Sequence, residues 1–104
     1  MNIIVQHQGK KIELDEDGFL LDVNSWSVNV AELLAEKEGI KEMGSEHWKL
    51  INAIRHYYER VGESPLCRDI LKEAGLTKQD MYMLFPLGHR SAYKLAGLPK
   101  PPEC

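Results

Sequence analysis

The spacing of hydrophobic and polar positions changes once along the chain, near residue 25. Before that point, short apolar runs are separated by turn residues: NIIVQH and KKIELD flank Gln8-Gly9, and DEDG leads into FLLDV. Runs of this length with turns between them predict β-strands in a small antiparallel meander over residues 1–24. A sheet of this size is marginal by itself in water, so we expect it to pack on the rest of the chain.

After residue 25 the apolar positions recur at helical spacing and predict about five helices joined by short links. The clearest is SEHWKLINAIRHYYERVG, and the others lie in SVNVAELLAEKEG, SPLCRDILKEAG, TKQDMYMLFP and HRSAYKLAG. Ser, Thr and Asp are the residues that cap helix N-termini. The predicted caps are Ser27, Ser45, Ser64 (with Pro65 at the first helical position) and Thr77 paired with Asp80. The apolar stripe predicted for the longest helix comprises Trp48, Ile51, Ile54, Tyr58 and Val61.

The last residues, LPKPPEC, break the helical pattern. Pro99, Pro101 and Pro102 lack a backbone donor and have a fixed φ, so this segment cannot be helical. We expect a semi-rigid extended arm of polyproline II character that starts after Gly97 and holds Cys104 away from the body. The predicted fold class is α+β, mostly α, in one domain: a meander over 1–24, a helical array over 25–97 and the arm over 98–104.

Composition agrees with one ordinary globular domain. The chain has 104 residues, of which 43% are hydrophobic and 28% charged, and its formal net charge is −3. No apolar run approaches the roughly 20 residues that a membrane span needs, and the N-terminus lacks the apolar stretch of a signal peptide. We therefore expect a cytosolic protein without a membrane partner. The acidic balance weighs against nucleic-acid binding, which needs a concentrated Lys/Arg surface.

The chain has two cysteines, Cys67 and Cys104. Two are too few for a disulfide scaffold, and a cytosolic setting would keep both reduced. Cys67 shares an apolar helical stripe with Ile70, Leu71 and Ala74, which predicts a buried, inert thiol. Cys104 is the candidate nucleophile. Neither the cysteines nor the four histidines have metal-ligand spacing, so we predict no metal and no other cofactor.

The segment LFPLGHRSAYKLAGLPKPPEC resembles the C-terminal signature of the DsrC/TusE family, which includes the gamma subunit of dissimilatory sulfite reductase and sulfur-relay proteins. DEDGFLLDVNSW and SEHWKLINAIRHYYE are similar to other segments of that family. The resemblance implies a β-meander packed on helices and a role in sulfur trafficking. It implies that Cys104 carries sulfur as a persulfide or mixed sulfide and that the arm inserts it into partner proteins. The implied partners are sulfur donors and acceptors, with sulfite reductase and a tRNA-thiolation relay as alternatives.

One departure from the family pattern concerns its second cysteine. Two-cysteine members carry it eleven positions before the first, where this chain has Tyr93. Without it, Cys104 cannot form the bridge that those members use. Cys67 lies on an earlier helix and is a poor substitute, because a disulfide needs Cα atoms within about 7 Å. The resemblance therefore places the chain with single-cysteine carriers, and a self-contained enzyme is disfavoured without being excluded.

Basic residues and the arm itself complete the predicted site around Cys104. The predicted arm and docking residues are Gly97, Pro99, Lys100, Pro101, Arg90 and Lys94. Lys100 and Arg90 would pair with acidic groups of a partner or stabilise a persulfide anion. Arg90 and Lys94 are equally well read as solvated surface charges. Tyr93 is expected to pack against the base of the arm.

Two alternatives come from other functional classes. SPLCRDILKEAGLTKQDMYMLF is compatible with a helix-turn-helix that presents Lys78, Gln79 and Tyr82 to a nucleic acid, although helix–glycine–helix joins are common in small helical domains. The other alternative is a non-transferring subunit of a sulfite reductase complex. The carrier hypothesis predicts sulfur transfer by Cys104, whereas the two alternatives do not.

Overall fold

The structure is a computed structural model that describes residues 3–101, in which two strands precede five α-helices. It confirms the α+β, mostly α fold class. In chain order the elements are β1 (Ile3–His7), β2 (Lys10–Leu14), a 3-10 helix (Val23–Ser25), α1 (Val28–Lys37), α2 (Ser45–Val61), α3 (Cys67–Ala74), α4 (Lys78–Leu84) and α5 (His89–Leu95). Within the described range, no helix is both long and apolar enough to cross a membrane.

Strands β1 and β2 form an antiparallel hairpin whose register runs from Ile3 opposite Leu14 to His7 opposite Lys10. The predicted Gln8-Gly9 turn joins them. Both turn residues have positive φ, 52° at Gln8 and 78° at Gly9. A two-residue turn with this backbone matches the twist of the strands it connects.

The predicted third strand is reduced to a single bridge between Leu14 and Leu20. The side chain of Asp15 explains the difference, because its Oδ1 accepts the N–H groups of Asp17 and Phe19 at 2.9 Å each and closes a local turn. Phe19 and Leu20 are consecutive and both buried. A regular strand would place consecutive side chains on opposite faces, so this segment follows the core as a loop.

Two of the four predicted helix caps are confirmed. Ser27 caps α1 by accepting the N–H of Val30, and Thr77 forms a reciprocal capping box with Asp80 at 3.0 Å in both directions. The predicted caps at Ser45 and Ser64 are wrong. Gly44 occupies the N-cap of α2, where its N–H donates to Nδ1 of His47, and α3 begins two residues after Pro65 with Leu66 as N-cap.

The predicted apolar stripes are confirmed for α3 and only in part for α2. Cys67, Ile70, Leu71 and Ala74 are all buried, as their spacing predicted. On α2 the buried residues are Leu50, Ile51 and Ile54, whereas Trp48 and Tyr58 are half-buried and Val61 is exposed. The long helix therefore contacts the core through its middle and leaves its last turn in solvent.

Helix α5 lies in the interior and packs against both α1 and α2. Six of its seven side chains are buried: His89, Ser91, Ala92, Tyr93, Lys94 and Leu95. Arg90 is half-buried. Since the arm follows directly from α5, the residues that surround the end of this helix determine where the arm leaves the body.

Candidate functional site at the base of the arm

The end of α5 is closed by two backbone hydrogen bonds. Gly97 has φ 79° and donates its N–H to Lys94 O at 3.0 Å, while Leu98 donates to Tyr93 O at 3.1 Å. A left-handed glycine just after a helix makes this closure without steric cost. The side chain of Leu98 is fully buried, so the first residue of the arm is anchored in the core.

Two further carbonyls at the end of α5 are bound by distant side chains. The indole N–H of Trp26 donates to Leu95 O at 2.7 Å, and a guanidinium N–H of Arg55 donates to Ala96 O at 3.0 Å. The Arg55 guanidinium also lies 4.3 Å from the centre of the Trp26 ring, within the range of a cation–π contact. These groups satisfy carbonyls that a helix terminus leaves unpaired. Neither Trp26 nor Arg55 is among the site residues predicted from the sequence.

Gly97 is required at this position for a second reason. A Cβ atom added there would lie 2.6 Å from Cδ1 of Trp26, closer than two such atoms can approach. The prediction of Gly97 as a site residue therefore acquires a structural basis: it lets the indole lie directly against the backbone where the arm begins.

Arg55 is a cation near the negative end of the α5 dipole. Burial lowers the pKa of Arg55, while the charges of Glu59 and Tyr58 act in the opposite direction. Glu59 lies 3.7 Å from the guanidinium. Arginine remains protonated throughout the range in which proteins are folded, so it stays a charged hydrogen-bond donor to the base of the arm.

Lys94 lies inside the protein, where its Nζ pairs with Glu38 at 3.4 Å and sits 5.1 Å from the centre of the Phe19 ring. Glu38 also accepts a hydrogen bond from Ser91 Oγ at 2.7 Å. Lys94 is 8% exposed. This arrangement favours a structural role that joins α5 to α1, in place of the docking role or the solvated surface position suggested by the sequence.

The described part of the arm, 98–101, follows the body more closely than the sequence predicted. Leu98 and Pro101 are buried, whereas Pro99 and Lys100 are exposed. Lys100 Nζ lies 3.7 Å from Asp17 Oδ2, in an exposed ion pair with the turn after β2. The expected projection away from the body is therefore wrong for this part of the arm. Cys104 lies outside the described residues.

Tyr93 links α5 to the segment that opens α3. Its side chain is 2% exposed, and its hydroxyl donates to Pro65 O at 2.5 Å. Burial, reinforced by the negative charges of Asp69 and Tyr57, raises the pKa of Tyr93 to about 12. The phenol is therefore protonated at neutral pH and keeps its donor role.

Cys67 is the first residue of α3 and is 7% exposed, so its predicted burial is confirmed. The prediction of a reduced, inert thiol is wrong for this structure, because Cys67 is disulfide-bonded. The Tyr93–Pro65 hydrogen bond brings the segment before α3 against α5 across a long sequence separation.

The predicted helix-turn-helix segment is present as two short helices, α3 and α4, joined through Gly75 in a left-handed conformation. Lys78, Gln79 and Tyr82 are exposed on α4. The Tyr82 ring also lies directly against Gly88, where an added Cβ would overlap it. Nucleic-acid binding by this segment stays a prediction. Within residues 3–101, no group of three or more His, Cys, Asp or Glu side chains is placed to hold a metal ion.

Known proteins share this sequence and fold. Residues 6–104 match the family described as "DsrC like protein". The gamma subunit of dissimilatory-type sulfite reductase from Nitratidesulfovibrio vulgaris is 41% identical over 101 residues, covering 96% of each chain. Sulfurtransferase TusE from Shigella dysenteriae is 38% identical over 106 residues, covering 93% of this chain and 95% of that protein.

A solved structure of a similar protein has the same fold. The oxidized gamma subunit of dissimilatory sulfite reductase from Archaeoglobus fulgidus superposes with a TM-score of 0.87 at 38% sequence identity, covering 98% of this chain and 99% of that one. The family match over residues 6–104 begins within β1 and includes the helical array and the arm sequence with Cys104. The chain belongs to the DsrC-like family.

Proposed function

We propose that this protein is a sulfur carrier that takes up sulfane sulfur as a persulfide on Cys104 and delivers it to a partner protein. The observation that supports this most is the family match over residues 6–104, which includes the whole arm and its cysteine. Relatives that cover nearly the full chain are named as a sulfurtransferase and as a sulfite reductase subunit. Both names belong to sulfur metabolism.

The base of the arm suits a carrier that presents one reactive group. Buried Leu98, together with Trp26 and Arg55 on the last carbonyls of α5, holds the origin of the arm in place. Beyond that origin, Pro99 and Pro101 restrict the backbone. A segment with fewer accessible conformations loses less entropy when it enters a partner, so the prolines favour insertion.

The uptake step is an exchange at sulfur. The Cys104 thiolate attacks the terminal sulfur of a donor persulfide, a new S–S bond forms on Cys104, and the donor cysteine leaves as a thiolate with the electrons of the broken bond. Delivery repeats the reaction with an acceptor thiolate as the attacking group. The protein is then a stoichiometric carrier in a chain of thiols.

Basic residues of the arm and of α5 would guide docking. Lys100 is exposed and its pairing with Asp17 is long and solvated, so it can exchange Asp17 for an acidic group of a partner at little cost. Arg90 is half-buried on α5 and is the second candidate. The partners we propose are sulfur donors and acceptors, of the tRNA-thiolation or the sulfite-reducing type.

Sulfur loading tests the proposal directly. The reduced protein is incubated with a protein persulfide donor, desalted, and its intact mass is measured. We expect the wild type to gain about 32 Da, the mass of one sulfur, and Cys104→Ser to gain nothing. Cys67→Ser serves as the matched control, because it removes the other cysteine and should still load. Loading of the Cys104→Ser variant would contradict the carrier function.

A non-transferring subunit is the second candidate, and the printed name of the Nitratidesulfovibrio vulgaris relative favours it. Such a subunit would bind sulfite reductase with or without Cys104. A pull-down of purified sulfite reductase with wild type and Cys104→Ser measures binding, and reductase turnover with each measures the need for the thiol. Equal binding together with equal turnover would favour the subunit over the carrier.

A further inference from the structure

We propose that a cavity between the hairpin turn and the start of α1 binds a small phosphorylated ligand, a phosphate monoester of mononucleotide size. The site goes beyond the carrier function, because none of its lining residues belongs to the arm. The cavity has a volume of about 450 Å³. Cavities of about 300–1,000 Å³ are typical of small-molecule sites in proteins. The size therefore suits a ligand of this class.

The ionisable side chains that line the cavity are all basic. Lys10, Lys11 and His7 are among its lining residues, and no Asp or Glu of residues 3–101 is. The whole chain has a formal net charge of −3, so two lysines without a carboxylate run against the overall balance. Lysine ammonium groups are common phosphate ligands. The composition of the lining therefore favours an anion, and two ammonium groups match the double charge of a phosphate monoester.

The register of the hairpin explains how the basic side chains reach the cavity. His7 and Lys10 are cross-strand partners, and Lys10 lies two positions before buried Ile12. Alternate residues of a strand point to the same face, so Lys10 and His7 lie on the face that packs against the body. Within residues 3–101 neither Lys10 nor Lys11 takes part in an ion pair. Both ammonium groups are thus available to a ligand.

His7 adds a nitrogen that the rest of the described chain does not satisfy. Its Nε2 atom is buried and has no hydrogen-bond partner among residues 3–101. Buried polar atoms of folded proteins are nearly always paired, and an exception calls for an explanation such as a bound ion or ligand. The residue as a whole is only partly buried, so a turn of the imidazole brings Nε2 to the cavity. In the tautomer that carries hydrogen on Nε2, it then donates to a phosphate oxygen.

The start of α1 forms another wall of the cavity. The first turn of this helix has no acidic side chain, so the positive end of its dipole is not compensated there. Asn29 lines the cavity, and its Nδ2 donates to Gln8 Oε1 at 3.1 Å. Gln8 has φ 52°, which is uncommon for a residue other than glycine. This bond ties the hairpin turn to the helix, so the two walls are held together before a ligand binds.

Trp26 makes binding observable. It lines the cavity, and its indole N–H donates to Leu95 O at 2.7 Å. A ligand in the cavity should therefore shift the NMR resonance of this N–H. The chain has two tryptophans, and the other, Trp48, lies on α2 outside the lining. Its indole resonance is an internal reference.

Titration with adenosine monophosphate is the test. The full-length reduced protein, isotopically labelled on nitrogen, is titrated, and both indole N–H resonances are followed. We expect a saturable shift of Trp26 with Trp48 unchanged. Inorganic phosphate should displace adenosine monophosphate, and adenosine, which has no phosphate, should cause no shift. Absence of a saturable shift with adenosine monophosphate or inorganic phosphate at millimolar concentration would overturn the site.

A charge-removing variant tests the role of the lysines. Lys10→Gln should weaken the binding of adenosine monophosphate at least about ten-fold, because a charge-assisted hydrogen bond to the phosphate is lost. Lys72→Gln is the matched control, since it removes the same charge from an exposed position on α3 outside the lining. It should bind as the wild type does. An equal loss in both variants would mean that net charge alone attracts the nucleotide, which would contradict a site.

Asn29→Asp separates binding from folding. An acidic residue in the first turn of α1 is favourable for the helix dipole, so the melting temperature should stay the same or rise. Binding of adenosine monophosphate should nevertheless weaken at least about ten-fold, because a carboxylate then faces the phosphate. Unchanged or tighter binding by a folded Asn29→Asp variant would overturn the assignment of an anion to this cavity.

Nucleic acid is another source of phosphate groups, and a single-stranded oligonucleotide distinguishes it. Its phosphodiesters carry one charge each and are flanked by sugars on both sides, so we expect weaker binding than that of adenosine monophosphate. Weaker binding supports a small ligand. An oligonucleotide that bound more tightly, with an affinity that fell steeply with salt, would overturn the assignment to a small phosphate monoester.

Discussion

The base of the arm is held by buried contacts, whereas the exposed residues that follow it are held by a solvated ion pair. At the base, a buried leucine, a backbone closure at Gly97 and two side-chain donors, Trp26 and Arg55, converge on one helix end. Beyond it, Pro99 and Lys100 are exposed, and Lys100 is held by an ion pair of 3.7 Å whose partners are both about half exposed.

The origin of the arm is therefore held more firmly than the exposed residues that follow it. A carbonyl that loses a buried, charged donor is left unsatisfied at a cost of about 1–3 kcal/mol, so the base resists change. An exposed ion pair contributes about 0–1 kcal/mol and exchanges readily with solvent or with another acidic group. Lys100 can therefore change its contacts with the body or with a partner while α5 and its cap stay in place.

The largest expected effect comes from breaking the base at Gly97. Gly97→Ala requires a non-glycine residue at φ 79° and puts a Cβ 2.6 Å from the Trp26 ring. Left-handed backbone costs about 1–2 kcal/mol and overpacking adds a similar amount, so we expect a loss of about 3 kcal/mol in the free energy of unfolding, measured by urea denaturation.

Gly39→Ala is the matched control for this variant. Gly39 has φ 86°, yet an added Cβ there would meet no atom within 4 Å. It therefore reports the backbone cost alone, about 1 kcal/mol. Equal losses at positions 39 and 97 would show that the close approach of Trp26 does not contribute to holding the base.

An intermediate effect is expected from Tyr93→Phe, which removes the hydroxyl that donates to Pro65 O. The carbonyl loses its buried partner, so the free energy of unfolding should fall by about 1 kcal/mol at pH 8. The pKa of Tyr93 is about 12 in the folded protein against an ordinary value of 10.0. This contribution is present below pH 10 and is lost as the pH rises through 12.

The pH dependence separates this effect from a packing defect. Between pH 10 and pH 12 the unfolded chain releases the Tyr93 proton while the folded protein keeps it, which lowers the free energy of unfolding of the wild type. This loss amounts to about 1 kcal/mol by pH 11, and the phenylalanine variant does not undergo it because it lacks the hydroxyl. The difference between the two proteins should therefore shrink towards zero at pH 11. Tyr82→Phe, at a half-exposed tyrosine, should change little at either pH. A constant deficit in Tyr93→Phe would contradict the assignment.

The smallest effect is expected in the arm itself. Lys100→Gln removes the ion pair with Asp17, and because both groups are exposed the free energy of unfolding should change by less than about 0.5 kcal/mol at low salt and not at all at high salt. Lys78→Gln removes the same charge from an exposed position on α4 and controls for net charge. A loss as large as that of Gly97→Ala would mean that the arm is held as firmly as its base.

Much of the fold followed from local rules in the sequence. The hairpin turn at Gln8-Gly9, the caps at Ser27 and Thr77 and the buried stripe of α3 are confirmed. Each depends on residues within about four positions of one another, the distance over which turn, cap and helix-face rules operate. The third strand was wrongly predicted because the local pattern there competed with the core: Phe19 and Leu20 are both buried, and the segment follows the core as a loop.

The sequence by itself determined the fold class and the family. Tertiary structure alone decided which distant side chains hold the end of α5. Trp26 and Leu95 are 69 residues apart, Arg55 and Ala96 are 41 apart, and Tyr93 and Pro65 are 28 apart. No periodicity or capping rule reaches across such separations, because these contacts form only when α5 is enclosed by the rest of the chain. The same enclosure buried Lys94 and brought the segment before α3 against Tyr93.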